Sequence, residues 1–317
     1  MKVIEHINRA SGQKPLFSYE IVPPPRGTCA SEIVAVVEKL AELNPPWIDV
    51  TSHSSTTYYQ EKKDGSIQKR TLRKRPGMIG ICGIIQNRFK IDTVAHMLCQ
   101  GFTKEETEDA LIELNFLGIE NVLALRGDAS NFTKPHRPDR TLNNQASDLV
   151  SQIQDLKRGQ FLDDLDNSAG MDFCVGVAGY PEKHFEAPSL KLDIQNLKKK
   201  VDAGADYIVT QMFFDNQKYF DFVSKCRDEG IKVPIIPGLK MLKTANQLRS
   251  LPKSFYIDLP DELVDQVSAE PQRAKEIGEE WTKRQVKGLL DAGVPYIHFY
   301  VLNNVDSVIR VVKSFKK

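Results

Sequence analysis

Glu20, Arg126 and Asp128 each stand near the carboxyl end of a short apolar run, where α/β folds place their chemistry. Arg126-Gly127-Asp128 follows Val122–Leu125, a run without helical periodicity that suits a buried parallel strand. Gly-Asp is also common in turns, so the tripeptide alone fits an ordinary strand end equally well. An adhesion role for Arg-Gly-Asp would need an exposed hairpin tip on an exported chain and fits worst. Glu20 lies between Tyr19 and Ile21. In a strand that is apolar on both faces, such a carboxyl group is costly unless paired or functional. Burial raises a carboxyl pKa and makes an acid able to donate a proton near neutrality. A buried carboxylate satisfied by a neighbouring Arg or Lys is the competing reading.

Other run ends add Thr51, Ser52 and His53, then Tyr180 and His184, then Gln211, while His96 lies within its run. Residues 178–187 have few apolar side chains and lead into a helical segment carrying Asp193, Asn196, Lys199 and Lys200. Spacings of three and four put these on a polar strip. Aromatic and histidine groups suit a flat ring with ribityl or ribose hydroxyls, and a lysine pair suits its phosphates. Lys198-Lys199-Lys200 also reads as a plain solvated face. No GxGxxG or Walker pattern occurs, so a Rossmann or P-loop site is unsupported.

Eight apolar runs must position these residues: Leu16–Val22, Trp47–Ser52, Thr93–Leu98, Val122–Leu125, Phe173–Ala178, Tyr207–Phe213, Val233–Pro237 and Tyr296–Leu302. Most precede an amphipathic helical pattern. Thr103 and Glu106 form a capping box ahead of Ala110, Leu111, Leu114 and Leu117, with Gly118 as the stop. Ser31 is placed to cap a helix with Ile33, Val36, Val37 and Leu40 inward. A third helix starts near Ser189, with Leu190, Ile194, Leu197 and Val201 inward and Gly204 beyond its end. Strand and helix alternating eight times without a linker predicts a single (β/α)8 TIM barrel over 1–317, rather than a doubly wound sheet. Two polar stretches interrupt it, residues 129–143 and a basic insertion at about 53–76. The insertion carries Lys62, Lys63, Lys69, Arg70, Arg73, Lys74 and Arg75. It reads as a solvated excursion, or as an electrostatic aid in holding an anionic ligand above the catalytic face.

The net charge of +1 leaves no basic footprint for nucleic acid. No apolar run approaches the ~20 residues of a membrane span, and Met1–His6 lacks the apolar core of a signal peptide. Five scattered cysteines and six scattered histidines offer no metal spacing, so no metal is expected and the thiols should be reduced. The expectation is a cytoplasmic globular protein, with outer helices that suit a homo-oligomer.

Several motifs occur in order across residues 17–303. They are Phe17-Ser18-Tyr19-Glu20 with Pro23-Pro24, Ala124-Leu125-Arg126-Gly127-Asp128, Ala146-Ser147-Asp148-Leu149 and Tyr180-Pro181-Glu182-Lys183-His184. Lys200-Val201-Asp202-Ala203-Gly204-Ala205, Thr210-Gln211-Met212-Phe213-Phe214-Asp215, Ile236-Pro237-Gly238 and His298-Phe299-Tyr300 follow. Together they resemble 5,10-methylenetetrahydrofolate reductase, a flavin-dependent (β/α)8-barrel family, in its bacterial form with the catalytic domain alone. The resemblance implies FAD across the strand ends, contacted by Thr51, His96, Arg126, Gly127, Asp128, Ala146, Tyr180, His184, Ala187, Asp193, Asn196, Lys199 and Lys200. It implies Glu20 as the general acid, and Gln211, Gln247 and Asn304 at the folate substrate. It further implies ping-pong transfer of hydride from NADH or NADPH through the flavin to the folate methylene carbon. Asp128 would lower the flavin potential and stabilise the folate cation.

The chain departs from the family at Ser52 and His53, where Tyr-Gly is usual, and at Asn304, where an arginine is usual. Asn304 cannot supply that arginine's charge. The rival readings are a proline-dehydrogenase-like flavin barrel acting on secondary amines, and a non-catalytic flavin- or folate-binding subunit.

Overall fold

The computed structural model describes residues 1–10, 14–53, 56–72, 77–127, 141–301 and 305–316. Asp128 and Asn304 lie outside the described residues, as do 129–140 and Arg73, Lys74 and Arg75 of the insertion.

The strands are β1 (Leu16–Ile21), β2 (Trp47–Val50), β3 (Thr56–Glu61), β4 (Ile67–Leu72), β5 (Asp92–Leu98), β6 (Asn121–Leu125), β7 (Cys174–Gly179), β8 (Tyr207–Thr210), β9 (Ile235–Ile236), β10 (Gly238–Leu239) and β11 (Tyr296–Tyr300). Nine of them form one parallel sheet in the order β10-β11-β1-β2-β5-β6-β7-β8-β9. The ends of that order are neighbours in sequence, since only Pro237 separates β9 from β10. Proline has no N–H to give a ladder, so it splits the seventh strand. The Pro237 carbonyl still accepts from His298 N at 2.9 Å. β9 pairs with β8, β10 with β11 and β11 with β1, which closes the expected eight-position barrel and rules out a doubly wound sheet.

The helices are α1 (Val3–Ala10), α2 (Ala30–Ala41), α3 (Met78–Ile84), α4 (Lys104–Phe116), α5 (Ala146–Lys157), α6 (Leu190–Asp202), α7 (Asn216–Asp228), α8 (Gln247–Phe255), α9 (Asp261–Ala269), α10 (Ala274–Asp291) and α11 (Asp306–Lys313). The Thr103/Glu106 capping box starts α4, which buries Leu111 and Leu114 and ends before Gly118 at φ +71°. Leu117 is 37% exposed at the C-cap, so the buried stripe ends one turn sooner than its periodicity suggests. Ser189 caps α6 by accepting from Leu192 N at 3.2 Å. Ser31 is a correction. It is the second residue of α2 and the cap is Cys29, whose carbonyl accepts from Glu32 N at 3.2 Å. The Pro25–Thr28 turn delivers the chain extended at Cys29, so the helix starts two residues earlier than a Ser31 cap would set it.

Side chains alternate along each strand between the helix layer and the barrel interior. Phe17, Tyr19, Ile21, Ile48 and Val50 join the outer core beneath the helices. Trp47, Val94, Leu123, Cys174 and Tyr207 form a second core with Val3 and Ile7 of α1, which covers the amino ends of the strands. Gly176 is required there, because an added Cβ would lie 2.4 Å from the Tyr207 ring. With the lower barrel filled and covered, the carboxyl ends carry the polar interior residues.

The insertion folds as an antiparallel hairpin, β3 with β4, separate from the barrel sheet. Its described side chains are exposed, Lys62, Lys63, Lys69 and Arg70 among them, in keeping with the solvated reading.

Candidate active site

Glu20, Asp49, His96 and His298 converge inside the barrel from β1, β2, β5 and β11. His96 Nε2 donates to Asp49 Oδ2 at 3.3 Å and lies 3.7 Å from Glu20 Oε2. His298 Nδ1 is 2.9 Å from Ser18 Oγ and 3.7 Å from Asp49 Oδ1. Lys240, just past β10, is 4% exposed and donates to the Tyr300 carbonyl at 3.0 Å. Tyr300 OH donates to the Thr210 carbonyl at 2.5 Å. The assumption that the strands are apolar on both faces therefore fails at the top of the interior, where one acid in the sequence signals a whole polar layer.

Electrostatics follow from this burial. Glu20 is pushed up to about 7, chiefly by burial, with His96 and Lys240 opposing and Asp49 assisting. His96 is raised because its bond to Asp49 and the charges of Glu20 and Asp49 outweigh its own burial. Lys240 is brought down to about 8 by burial and by Lys243. Burial lowers His298, which stays neutral.

A second group lies at the ends of β6 and β7. Arg126 Nη1 donates to Glu186 Oε2 at 2.6 Å, and Lys200 Nζ donates to the Ala178 carbonyl at 3.0 Å. Burial brings Lys200 down to about 8, with Asp193 pulling up and Arg126 pushing down. His184 is held neutral by burial and by Arg126. Its Nδ1 accepts from Glu186 N at 3.2 Å, and its backbone N–H donates to Asp193 Oδ2 at 2.9 Å. Tyr180 packs edge-on against His184 at 4.7 Å, and Phe185 stacks on Tyr256 at 4.5 Å. Gly127 has φ +88°, a left-handed conformation in which a side chain would be strained. Ala187, buried, has its carbonyl fixed by Lys183 Nζ at 2.6 Å, and Ala146 is the buried first residue of α5.

A cavity of about 190 Å³ opens between β2, β5, α3 and α4, lined by Thr51, Ser52, His53, His96, Met97 and Leu98 among others. Thr51 and His53 bond to each other at 3.2 Å. Both feet of the hairpin, His53 and Gly77, stand on its rim.

The sequence candidates are thus only partly brought together. Lys199 and Lys200 part company: Lys199 is exposed and donates to Asn196 Oδ1 at 3.1 Å, while Lys200 turns to the strand end. Successive helix positions differ by about 100° around the axis, so one lysine of the pair faces away. Gln211 Oε1 accepts from Met212 N at 2.9 Å. Gln247 Oε1 caps its own turn through Lys243 N at 2.6 Å, and no hydrogen bond among the described residues joins it to Gln211 or Glu20. Asp49, Ser18, Lys240 and His298 join the site without a chemical role legible from the sequence motifs. Their signal is parity, since Ser18 and Glu20, or His298 and Tyr300, alternate with apolar neighbours.

Among the described residues no group of three His, Cys, Asp or Glu side chains could hold a metal ion, and no helix is long and apolar enough to cross a membrane. A closed parallel barrel with a buried acid–imidazole cluster at its carboxyl face and a cationic, aromatic rim beside it has the layout of a TIM-barrel enzyme. Comparison with known proteins narrows this class. The chain belongs to the methylenetetrahydrofolate reductase family, which it matches over residues 4–316. It is 30% identical over 315 residues to a probable methylenetetrahydrofolate reductase (NADPH) of Caenorhabditis elegans, covering 98% of this chain and 44% of that one. It is 28% identical to the 5,10-methylenetetrahydrofolate reductase of Pectobacterium carotovorum, covering 91% and 86%. The chain spans about half the length of the eukaryotic relatives it matches. A solved Clostridium thermocellum protein described as binding two copies of 5-methyl-5,6,7,8-tetrahydrofolic acid shares the fold, with TM-score 0.60, 14% identity and coverage of 99% and 98%.

Proposed function

We propose that this protein reduces 5,10-methylenetetrahydrofolate to 5-methyltetrahydrofolate, taking electrons from NADH or NADPH through a bound FAD. The observation that carries the reading is Glu20, a mostly buried carboxyl group at a strand end that keeps its proton up to about pH 7. Opening the five-membered folate ring needs such an acid on the pterin side, and a neutral carboxyl group serves it at physiological pH.

The rim residues suit a flavin dinucleotide. Lys200 is a half-buried ammonium with a carbonyl as its hydrogen-bond partner and Arg126 nearby, a combination that a diphosphate would complete. Arg126 and Lys200 would hold that diphosphate, with Gly127, Ala146, Tyr180, His184, Ala187 and Asp193 around it and Asn196 and Lys199 at the outer edge. Thr51 and His96 line the cavity on the other side of the strand ends. Gln211, Gln247 and Asn304 would serve the folate, and Asp128, by family resemblance, both the flavin and the folate. Bound FAD would supply the hydride relay between nicotinamide and folate. Glu20 gives its proton to the substrate, and the packed lower barrel keeps water from reaching it from below. Relatives carry names of both the NADH and the NADPH type, and the chain would act in one-carbon metabolism upstream of methionine synthesis.

The test is anaerobic spectrophotometry of the purified protein. A yellow preparation bleached by NADH or NADPH and then reoxidised by methylenetetrahydrofolate is the expected result. Bleaching by a secondary amine would assign a proline-dehydrogenase-like barrel, and a yellow protein inert to every donor would assign a binding subunit. A colourless protein that cannot be reconstituted with FAD overturns the proposal.

A further inference from the structure

Two carboxyl groups share one imidazole inside the barrel, and they share it unequally. Asp49 Oδ2 is 3.3 Å from His96 Nε2, whereas Glu20 Oε2 is 3.7 Å from the same nitrogen. Asp49 is 1% exposed and Glu20 14%. A ring nitrogen has one hydrogen and cannot donate it at full strength to both.

We propose that Asp49 is a positioning residue that captures the N–H and charge of His96, and so leaves Glu20 holding its own proton as the acid of the site. Two carboxyl groups in one buried site do not both ionise freely. The nearer one takes the cation, and the other stays neutral. Asp49 Oδ1 is buried without a hydrogen bond among the described residues, so His96 is its one close charged partner. His298 faces Asp49 Oδ1 at 3.7 Å but is neutral, occupied by Ser18, and does not replace His96.

The other titratable groups around the pair are Lys240 beyond β10, Tyr300 on β11, Tyr207 on β8 and Cys82 on α3. Burial keeps the two phenols and the thiol uncharged. Of these four, only Lys240 favours an ionised Glu20, adding to His96, and it is anchored on the Tyr300 carbonyl. Without the Asp49 carboxylate, His96 Nε2–H turns to Glu20. Glu20 then releases its proton to solvent at lower pH, and its carboxylate pairs with the His96 imidazolium and cannot act as the acid. The identity of the substrate rests on the folate-reductase reading; the location of the proton is a property of the protein alone.

The test is an infrared pH titration of the protonated-carboxyl band in the holoprotein, assigned to Glu20 by its loss in Glu20→Gln. In Asp49→Asn the Glu20 band should vanish at a pH at least about one unit lower than in the unsubstituted protein. In a His96→Gln background the same Asp49→Asn change should shift it less than half as far. Should Asp49→Asn fail to fold, Asp49→Ser removes the same charge and is read the same way. A band that stays in place or moves upward overturns the proposal, as does an equal shift without His96. Absence of folate turnover with the shift intact would instead overturn the folate reading and leave the proton assignment standing.

Discussion

Arg126 Nη1 and Glu186 Oε2 lie 2.6 Å apart, an ion pair that ties the end of β6 to the loop after β7. Glu186 is 42% exposed and Arg126 24%, so the pair is open to competition by an incoming anion. A diphosphate at Arg126 must displace Glu186 or share the guanidinium with it. Glu186→Gln should therefore tighten FAD binding several-fold, with the gain largest at low ionic strength. Fluorescence titration of the apoprotein with FAD measures it. An affinity that does not move at low salt removes Arg126 from the binding account.

Lys200 should matter more, because it is half-buried at the strand end and forms no ion pair among the described residues. A charge-assisted hydrogen bond contributes about 1.5–3 kcal/mol, so Lys200→Met should weaken FAD binding roughly 10- to 100-fold. With a free-state pKa of about 8, the amine is charged below that pH and loses its proton as pH rises through it. Bound phosphate raises the pKa, so affinity should decline above pH 8 in the unsubstituted protein and stay flatter in Lys200→Met. Titrations at pH 7 and pH 9 separate the two behaviours.

Glu182 latches the β7–α6 loop to residue 258, its Oε2 accepting from Asp258 N at 2.8 Å. Burial pushes it up to about 7, with that hydrogen bond opposing and Asp258 assisting. A carboxyl pKa raised in the folded state binds its proton more tightly folded than unfolded, so it favours folding below the unfolded value. That benefit is lost as pH rises from about 4.5 through about 7. Glu182→Gln keeps an acceptor without the charge. Its melting temperature should exceed that of the parent at pH 8, and the difference should shrink toward pH 5. Melting curves at the two pH values check the sign.

Much of the barrel is legible because strand and helix periods alternate along the chain, and Glu20 is legible as a lone acid in an apolar run. Asp49 is equally an acid within a run, but its meaning depends on His96 and His298, which only barrel closure brings to it. The split at Pro237 follows from the missing proline N–H and the earlier start of α2 from the Pro25–Thr28 turn, and neither local cause alters the apolar period from which runs are read. Lys199 and Lys200 look alike as letters and differ by their position around the helix. The hairpin carries an Asp64-Gly65 turn, a strong hairpin signal, yet its charged flanks lack the alternation that marks a strand packed on a core.

In the proposed reaction neutral Glu20 is the acid for folate reduction. Rapid mixing of reduced enzyme with methylenetetrahydrofolate across pH tests it most directly, in the unsubstituted protein and in Glu20→Gln. The rate should fall as pH rises through about 7, where Glu20 loses its proton. Glu20→Gln should be slower by roughly 10²- to 10⁴-fold, with no such pH limb. Flavin reoxidation by folate at an undiminished rate in Glu20→Gln would contradict the account, as would a rate that climbs through pH 7.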